Sequence, residues 1–473
     1  MTLLGGWRHR SPGAVAGVGD PHRRGPVRGA RRLLLASPPT QVGKVSNPSQ
    51  PATPPHAAAA LIHPASLEAR SIIRIPGPRS VGASESNPSA TDRIPSKADL
   101  LAALPVELLR HNPLKAWGSL AFSLGLTLPA YALGTQIPLT LSAAPLWVLY
   151  AVVTGTVAGG CWVIAHECGH HAFHPNRRVE AAVGFVLHSL LLVPYFTWQH
   201  SHAVHHAHCN HLEGGETHVP LRADSATGQR VMAWRRWLGP NIFGGLTVVF
   251  YLLLGWPLYL CLGVAGGADH GWPTSHFWSG EPFRNGKRPL FPRSMRGRMV
   301  LSNLGLVAML LLLGLAAVHA SAPRVLCVYG LPYLVINAWL VAYTWLQHTD
   351  TDIPHFSTDE WSWAKGALQT VDRPYGPLLN LLHHGIGSTH VCHHINSRIP
   401  HYNAWKATAL LRQRFPDLMR VDSTPIHLAL WRVASRCTVV HRHPQGNGYV
   451  FELPVSAPTG KDMRELPRQP IEA

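Results

Sequence analysis

Apolar residues in this chain gather into long blocks instead of alternating with polar ones. Six stretches, near 115–134, 141–165, 181–197, 243–266, 299–319 and 325–346, carry almost no charge. A helix needs roughly 20 apolar residues to cross a bilayer, and most of these blocks are long enough. The third is short, contains His188, and ends in Tyr195, Phe196 and Trp198, aromatic side chains suited to the headgroup level. Ahead of the first block, Ser96–Arg110 predicts an amphipathic helix. Ser96 supplies a cap, and Leu100, Leu101, Leu104 and Leu108 recur near helical spacing. Such a helix would lie on the membrane surface. Composition strengthens this reading: 46% of residues are hydrophobic and 14% charged, too little charge for a water-soluble chain of this length.

The polar remainder lies at the two ends and in one basic block. Residues 1–90 are rich in Pro, Ser, Gly, Ala and Arg without sustained periodicity, which predicts disorder. Within residues 1–75 the excess of Arg and Lys over Asp20 and Glu68 also fits an organelle transit peptide. Residues 451–473 read as a tail, which leaves 91–450 as the folded membrane domain. The net charge of +17 comes largely from the N-terminal segment and from Arg284, Lys287, Arg288, Arg293, Arg296 and Arg298. That cluster stands just before the fifth block, where a cytoplasmic positive flank belongs. No zinc-finger spacing or RNA-binding signature accompanies the charge, so no nucleic-acid partner is expected. The seven cysteines form no CxxC pair and read as reduced thiols.

Histidine is the unevenly placed residue. Three clusters stand out among 31 histidines: His166-Glu-Cys-Gly-His170-His171, His202-Ala-Val-His205-His206 and His390-Val-Cys-His393-His394. Residues three and four apart share a helix face, so each cluster directs imidazoles one way. The eight histidines 166, 170, 202, 205, 206, 390, 393 and 394 exceed what one metal ion uses and suit two. His348, at the end of the sixth block, is a ninth candidate. His188, His200, His208, His211 and His218 read instead as satisfied or interfacial polar residues. If the clusters share one site they lie on one side of the membrane. The 181–197 stretch then cannot cross once, and the crossings between the second and third clusters are even in number. The sixth and fifth blocks form a hairpin, so 243–266 is a surface or re-entrant element. The expected fold is all-α and integral to the membrane, with four transmembrane helices, two interfacial or re-entrant elements and a cytosolic histidine-rich cap.

His166-Glu167-Cys-Gly-His170 also matches HExxH, the zinc-protease signature in which Glu is the base. Zinc hydrolysis uses three protein ligands and leaves most of these histidines without a role. A histidine-rich metal transporter is the reading from another class, but it would place polar ligands within its spans, and these clusters sit beyond span ends. Imidazole-only ligation suits Zn, Cu, Fe or Ni. Two metals at the edge of an apolar bundle point to dioxygen chemistry on a lipid, because no side chain can oxidise an unactivated methylene.

The segments HECGHHAF, LVPYFTWQHSHAVHH, WLQHTDTDIPHFSTDEWSWAKGALQTVDRPYG and STHVCHHINSRIPHYNA resemble those of the membrane fatty-acid desaturases, and within them the plant and algal microsomal oleate (Δ12) group. The resemblance runs from about Ile94 to Val450. It implies two Fe ions held by the eight box histidines with His348 as a further ligand. It also implies O2 as co-substrate and conversion of oleoyl to linoleoyl chains on a membrane lipid. An omega-3 desaturase, a hydroxylase and an acetylenase share these boxes. Glu167, His171, Asp372 and His384 are candidates for orienting the ligands. No HPGG haem motif of a fused cytochrome b5 domain is present, so electrons would come from a separate donor: cytochrome b5 in the endoplasmic reticulum, which is favoured, or ferredoxin in a plastid.

Overall fold

A computed structural model describes residues 94–452, apart from 445 and 447. The N-terminal segment 1–90 lies outside the described residues, as does nearly all of the 451–473 tail. The first element, α1 (Lys97–Ala102), starts as its sequence suggests. Ser96 Oγ accepts from the Asp99 N–H at 3.2 Å, and Asp99 Oδ2 accepts from the Ser96 N–H at 2.9 Å, a reciprocal cap. The helix expected to reach Arg110 stops early. Pro105 has no N–H to donate, and the chain resumes as a single 3-10 turn, Val106–Leu109. Nor does this segment lie on lipid: Leu100 is fully buried in a cluster with Val391, Ile395 and Leu411.

The membrane portion is helical hairpins. α2 (Pro113–Gly134) begins with Asn112 accepting from the Lys115 N–H at 3.1 Å and Pro at its first position. α3 (Ala144–Gly169) returns and carries the first cluster at its end. α4 (Arg177–Leu190) and α5 (Tyr195–Ala207) are bent against each other by 104°, so the short third block does not run as one straight rod. α6 (Ala226–Leu238), α7 (Pro240–Phe250) and α8 (Trp256–Leu262) follow, the last two joined through a π-helical turn at Tyr251–Gly255. α9 (Arg296–Ala320) turns at Ser321 into α10 (Ala322–Val325), which continues through a second π-helical turn into α11 (Leu331–His348). A cap follows: α12 (Trp363–Ala367), α13 (Gly376–Leu382), α14 (His390–Ile395), α15 (His401–Arg414), α16 (Ile426–Arg436) and a two-stranded hairpin, β1 (His441–Arg442) with β2 (Tyr449–Val450).

Five segments are long and apolar enough to cross a membrane: Pro113–Gly134, Leu141–Gly169, Pro240–Leu262, Arg293–Ala320 and Ala322–His348. Three of them separate α5 from α14, yet the histidines of those two helices meet, so an even number cross. Pro240–Leu262 is held at one end to the cap and at the other to the loop that follows α5, on the side of the histidines. Just before it, Arg235 Nη2 donates to the Ser435 carbonyl at 2.9 Å. Just after it, Val219 N–H donates to Ala265 O at 3.0 Å and Gly267 N–H to Gly215 O at 2.8 Å. It therefore lies embedded without crossing, which leaves four spans.

Two contacts set the position of the site. α3 and α11 approach closely at Gly155, where a Cβ would come within 2.7 Å of the Pro332 carbonyl. Below His348, the fully buried Arg373 donates to Asp350 at 2.9 Å, to Leu346 O at 2.8 Å, and to Asp422. This guanidinium ties the end of α11 to the cap.

Candidate metal centre

Each histidine cluster sits where a helix ends or breaks. His166 closes the last turn of α3 and His170 follows it, His348 closes α11, and α5 and α14 are short helices laid beneath them. The ring nitrogens converge in two adjoining nests. In the first, one nitrogen each from His166, His170, His202, His206 and His393 lie within 4.8 Å of one another. The second holds His205, His348 and His394 under the same limit. His390 joins it, with its Nε2 3.0 Å from that of His348. The nests share a wall, where the His206 and His394 rings stack 4.1 Å apart.

The donor set fits a metal for a reason independent of spacing. Nε2 of His170, His393 and His394 is buried and has no hydrogen-bond partner. Buried polar atoms in folded proteins are nearly always paired, and several orphans aimed at shared points lack only a cation. Burial first, then neighbouring imidazoles, pushes His170, His390 and His394 well below the usual histidine range, and burial takes His393 down to about 4. These rings are neutral at pH 7, the form in which imidazole ligates a metal.

The carboxylates expected to orient imidazoles act mostly on backbone. Asp372 is buried and accepts from the Val391 N–H at 2.9 Å and from Arg412 Nη2 at 2.8 Å. Burial raises its pKa, with the Val391 amide opposing. Its effect is to hold the first turn of α14. Glu167 accepts from the His401 N–H at 2.8 Å, while its other oxygen is 3.9 Å from Nδ1 of His166. His171 turns away from the nests to Glu180, at 3.0 Å, and His384 lies 2.9 Å from Ser123 Oγ.

Other neighbours of the nests escaped the sequence reading. Trp162 stacks on His166 at 5.6 Å and Trp198 on His202 at 4.8 Å. Each tryptophan precedes its histidine by four residues, one helical turn, so this signal was present. Cys209 Sγ lies 3.5 Å from Nδ1 of His348. Of the histidines read as bystanders, His200 pairs with the Leu290 carbonyl at 2.9 Å, and His208 and His211 pack on Trp361. His218 instead lies parallel to His348, 5.6 Å away. His188 is fully buried with neither nitrogen paired, wedged among Trp162, Tyr195 and Trp198.

A slot opens between α3 and α11 beyond their contact at Gly155. Gly159, Trp162, Ile336, Trp339 and Leu340 make apolar walls, and His166, His202 and His348 stand at its inner end. His383 closes one side, with Nδ1 2.8 Å from the Tyr343 hydroxyl and Nε2 2.6 Å from the Thr156 carbonyl.

Two nests of buried imidazoles at the inner end of an apolar slot, where α5 and α14 meet the ends of the membrane helices α3 and α11, define a membrane protein whose histidines could hold metal ions. Comparison with known proteins narrows this. Residues 143–424 match the fatty acid desaturase family. A Delta(12)-acyl-lipid-desaturase of Punica granatum is 36% identical over 370 residues, 75% of this chain and 91% of that protein. A Delta(12)-fatty-acid desaturase of Arabidopsis thaliana is 36% identical over 388 residues, covering 79% and 96%. An oleoyl-12-hydroxylase of Ricinus communis is 35% identical over 348 residues, covering 72% and 86%. The chain belongs to the fatty acid desaturase family and is an oxidoreductase.

Proposed function

We propose that this protein is an acyl-lipid Δ12 (omega-6) desaturase that converts oleoyl to linoleoyl chains. The observation that carries the reading is the meeting of two imidazole nests with one end of an apolar slot. Relatives named for Δ12 desaturation, at 36–38% identity, supply the position of the new double bond.

Two iron ions fit the nests: His166, His170, His202, His206 and His393 would hold one, and His205, His348, His390 and His394 the other. Bound there, iron would supply the oxidising power by activating dioxygen. The chain's own residues do the rest. Trp162 and Trp198 stack on two of the imidazoles and limit their rotation. Asp372 keeps α14 in place, and with it three of the histidines. The apolar walls admit a methylene chain and exclude water, so the reacting carbons meet an oxidant in a dry site. Balance requires O2, two electrons and two protons for each pair of hydrogens removed, with two waters formed. The electrons come from a separate carrier. Cytochrome b5 suits the endoplasmic reticulum, the compartment of the microsomal relatives, and ferredoxin would serve in a plastid.

Expression of the full chain in a yeast that makes no polyunsaturated fatty acids, followed by lipid analysis, tests the reading. Linoleate is the expected product. A hydroxylated oleate would favour the chemistry of the Ricinus relative, and trienoic acid formed only when linoleate is fed would favour an omega-3 enzyme. Metal analysis of the purified protein should find iron, and zinc alone would refute the oxygenase.

A further inference from the structure

Beside the second histidine cluster, four polar side chains form a chain through apolar packing. Glu216 Oε1 lies 2.7 Å from the Tyr259 hydroxyl, which lies 2.9 Å from Ser201 Oγ. Ser201 Oγ lies 2.9 Å from Nε2 of His276, whose Nδ1 is 3.3 Å from the Leu260 carbonyl oxygen. Glu216 is 3% exposed, and Ser201 and His276 are fully buried. The second oxygen of Glu216 has no partner, and no described cation pairs with this carboxyl. The resemblance and the metal site leave this acid without a role.

Counting protons assigns a direction. The Leu260 carbonyl can only accept, so His276 Nδ1 carries a hydrogen and, in the neutral ring, Nε2 accepts. Ser201 then donates to His276, Tyr259 donates to Ser201, and Tyr259 must accept from Glu216. Only a carboxylic acid can donate. The Trp198 carbonyl, 3.1 Å from Ser201 Oγ, offers the serine proton a second acceptor and leaves the Tyr259–Glu216 end unchanged. The reverse direction, with an ionised Glu216, turns the Nδ1 lone pair of His276 onto the Leu260 carbonyl. An ion-pair version buries two charges at opposite ends of the chain, too far apart to offset their desolvation. Burial supports the neutral chain, since it raises Glu216 to about 8 and lowers His276 to about 3.

We propose that Glu216 is a positioning residue held as the neutral acid, whose proton orients this chain and clamps α5 against α8 and the loop that carries His276. α5 needs such a clamp. His166 and His348 end long spans and α14 is held by Asp372, but α5 follows a 104° bend. Ser201 lies one turn before His205 and next to His202, so the clamp acts where the imidazoles of both nests depart. The inference rests on the di-iron reading only for what α5 delivers, and the protonation itself is tested without metal.

Infrared spectroscopy of the purified full chain, with and without iron, reads the acid directly. A carbonyl stretch of a protonated carboxyl is expected in the wild type and is expected to vanish in Glu216→Gln. Glutamine donates its amide hydrogen to Tyr259 in the same sense, so E216Q should keep the iron content of the wild type. E216A, which leaves Tyr259 without a donor, should lose iron, and Y259F should lose it too. Should E216A fail to fold, E216Q and Y259F carry the comparison. A wild type whose carbonyl band is unchanged by E216Q would overturn the proton assignment. Wild-type iron content in both E216A and Y259F would overturn the clamp. A wild type that binds no iron would refute the metal reading and leave the vibrational result to decide the protonation.

Discussion

Asp372→Ala should loosen the third histidine cluster although Asp372 touches no imidazole. Two interactions disappear. The Val391 N–H, in the first turn of α14, loses its acceptor in a buried setting, and leaving such a donor unpaired costs about 1–3 kcal/mol. The ion pair to Arg412 is lost as well, but the arginine side chain is 41% exposed, so screening leaves it worth roughly 0–1 kcal/mol. The expected destabilisation is about 1–4 kcal/mol, dominated by the amide. Asp372→Asn separates the two contributions, since asparagine keeps an acceptor for Val391 and loses the charge. It should cost no more than about 1 kcal/mol. Thermal unfolding in detergent together with bound iron per chain measures both variants. Alanine should lower the midpoint and the iron content together, with asparagine close to wild type. Equal losses in the two would show that charge, not the amide, is what Asp372 supplies, and an alanine variant indistinguishable from wild type would remove it from the support of α14.

Other expectations follow from the same geometry. His390→Ala should abolish product, and full activity in that variant would take the third cluster out of the site. Gly159→Ala places a Cβ 2.6 Å from His383 Nε2 at the wall of the slot; turnover should fall while bound iron stays, and loss of iron instead would mean the slot and the nests are not separable. Arg373→Ala removes the buried guanidinium but leaves Arg432 on Asp350 at 2.6 Å and on Asp422 at 2.5 Å. The unpaired Leu346 carbonyl and the weakened cluster should cost about 1–3 kcal/mol, read as a lower unfolding midpoint, and a midpoint within error of wild type would refute it. In the metal-free protein, burial lowers His393 and His218 to about 4. The unfolded chain then binds protons that the native chain does not between about pH 6.5 and 4. Stability should fall as pH is lowered through that window, and iron held by His393 should extend the loss to lower pH, because protons must displace it from the ring. A metal-free protein equally stable at both ends of the window would contradict it.

Much of this architecture was legible along the chain because membrane helices are written as blocks and shared sites impose parity. The bend between α4 and α5 and the embedded Pro240–Leu262 segment both follow from requiring three clusters on one side. Leucine spacing predicts a helix to Arg110 because it outlasts the point where Pro105 interrupts the hydrogen bonding, and the apolar face that suggests lipid is covered by α14, which only the fold shows. The histidines themselves were legible, but their division was not. Neighbouring helical residues point about 100° apart, so His205 and His206, and likewise His393 and His394, feed different nests. Glu167 and Asp372 stood near the boxes as expected, yet their targets are amides of segments brought there by tertiary packing, which no local spacing encodes. The tryptophans one turn before His166 and His202 were readable and were passed over, since a tryptophan in an apolar block reads as core.

The shared wall between the nests, where His206 stacks on His394, also sets an order of assembly. The earliest imidazoles to be synthesised stand at the end of α3, and the last follow both long hairpins and most of the cap. Neither nest is complete until α14 has been made and laid beneath the helices inserted before it. Metal loading at these nests would therefore be a late step of biogenesis, and until then the half-built protein would present a cluster of unfilled imidazoles. A cell short of iron would accumulate inserted but unlocked chains, and the step that iron availability governs would be the final closing of the cap over helices already in the bilayer.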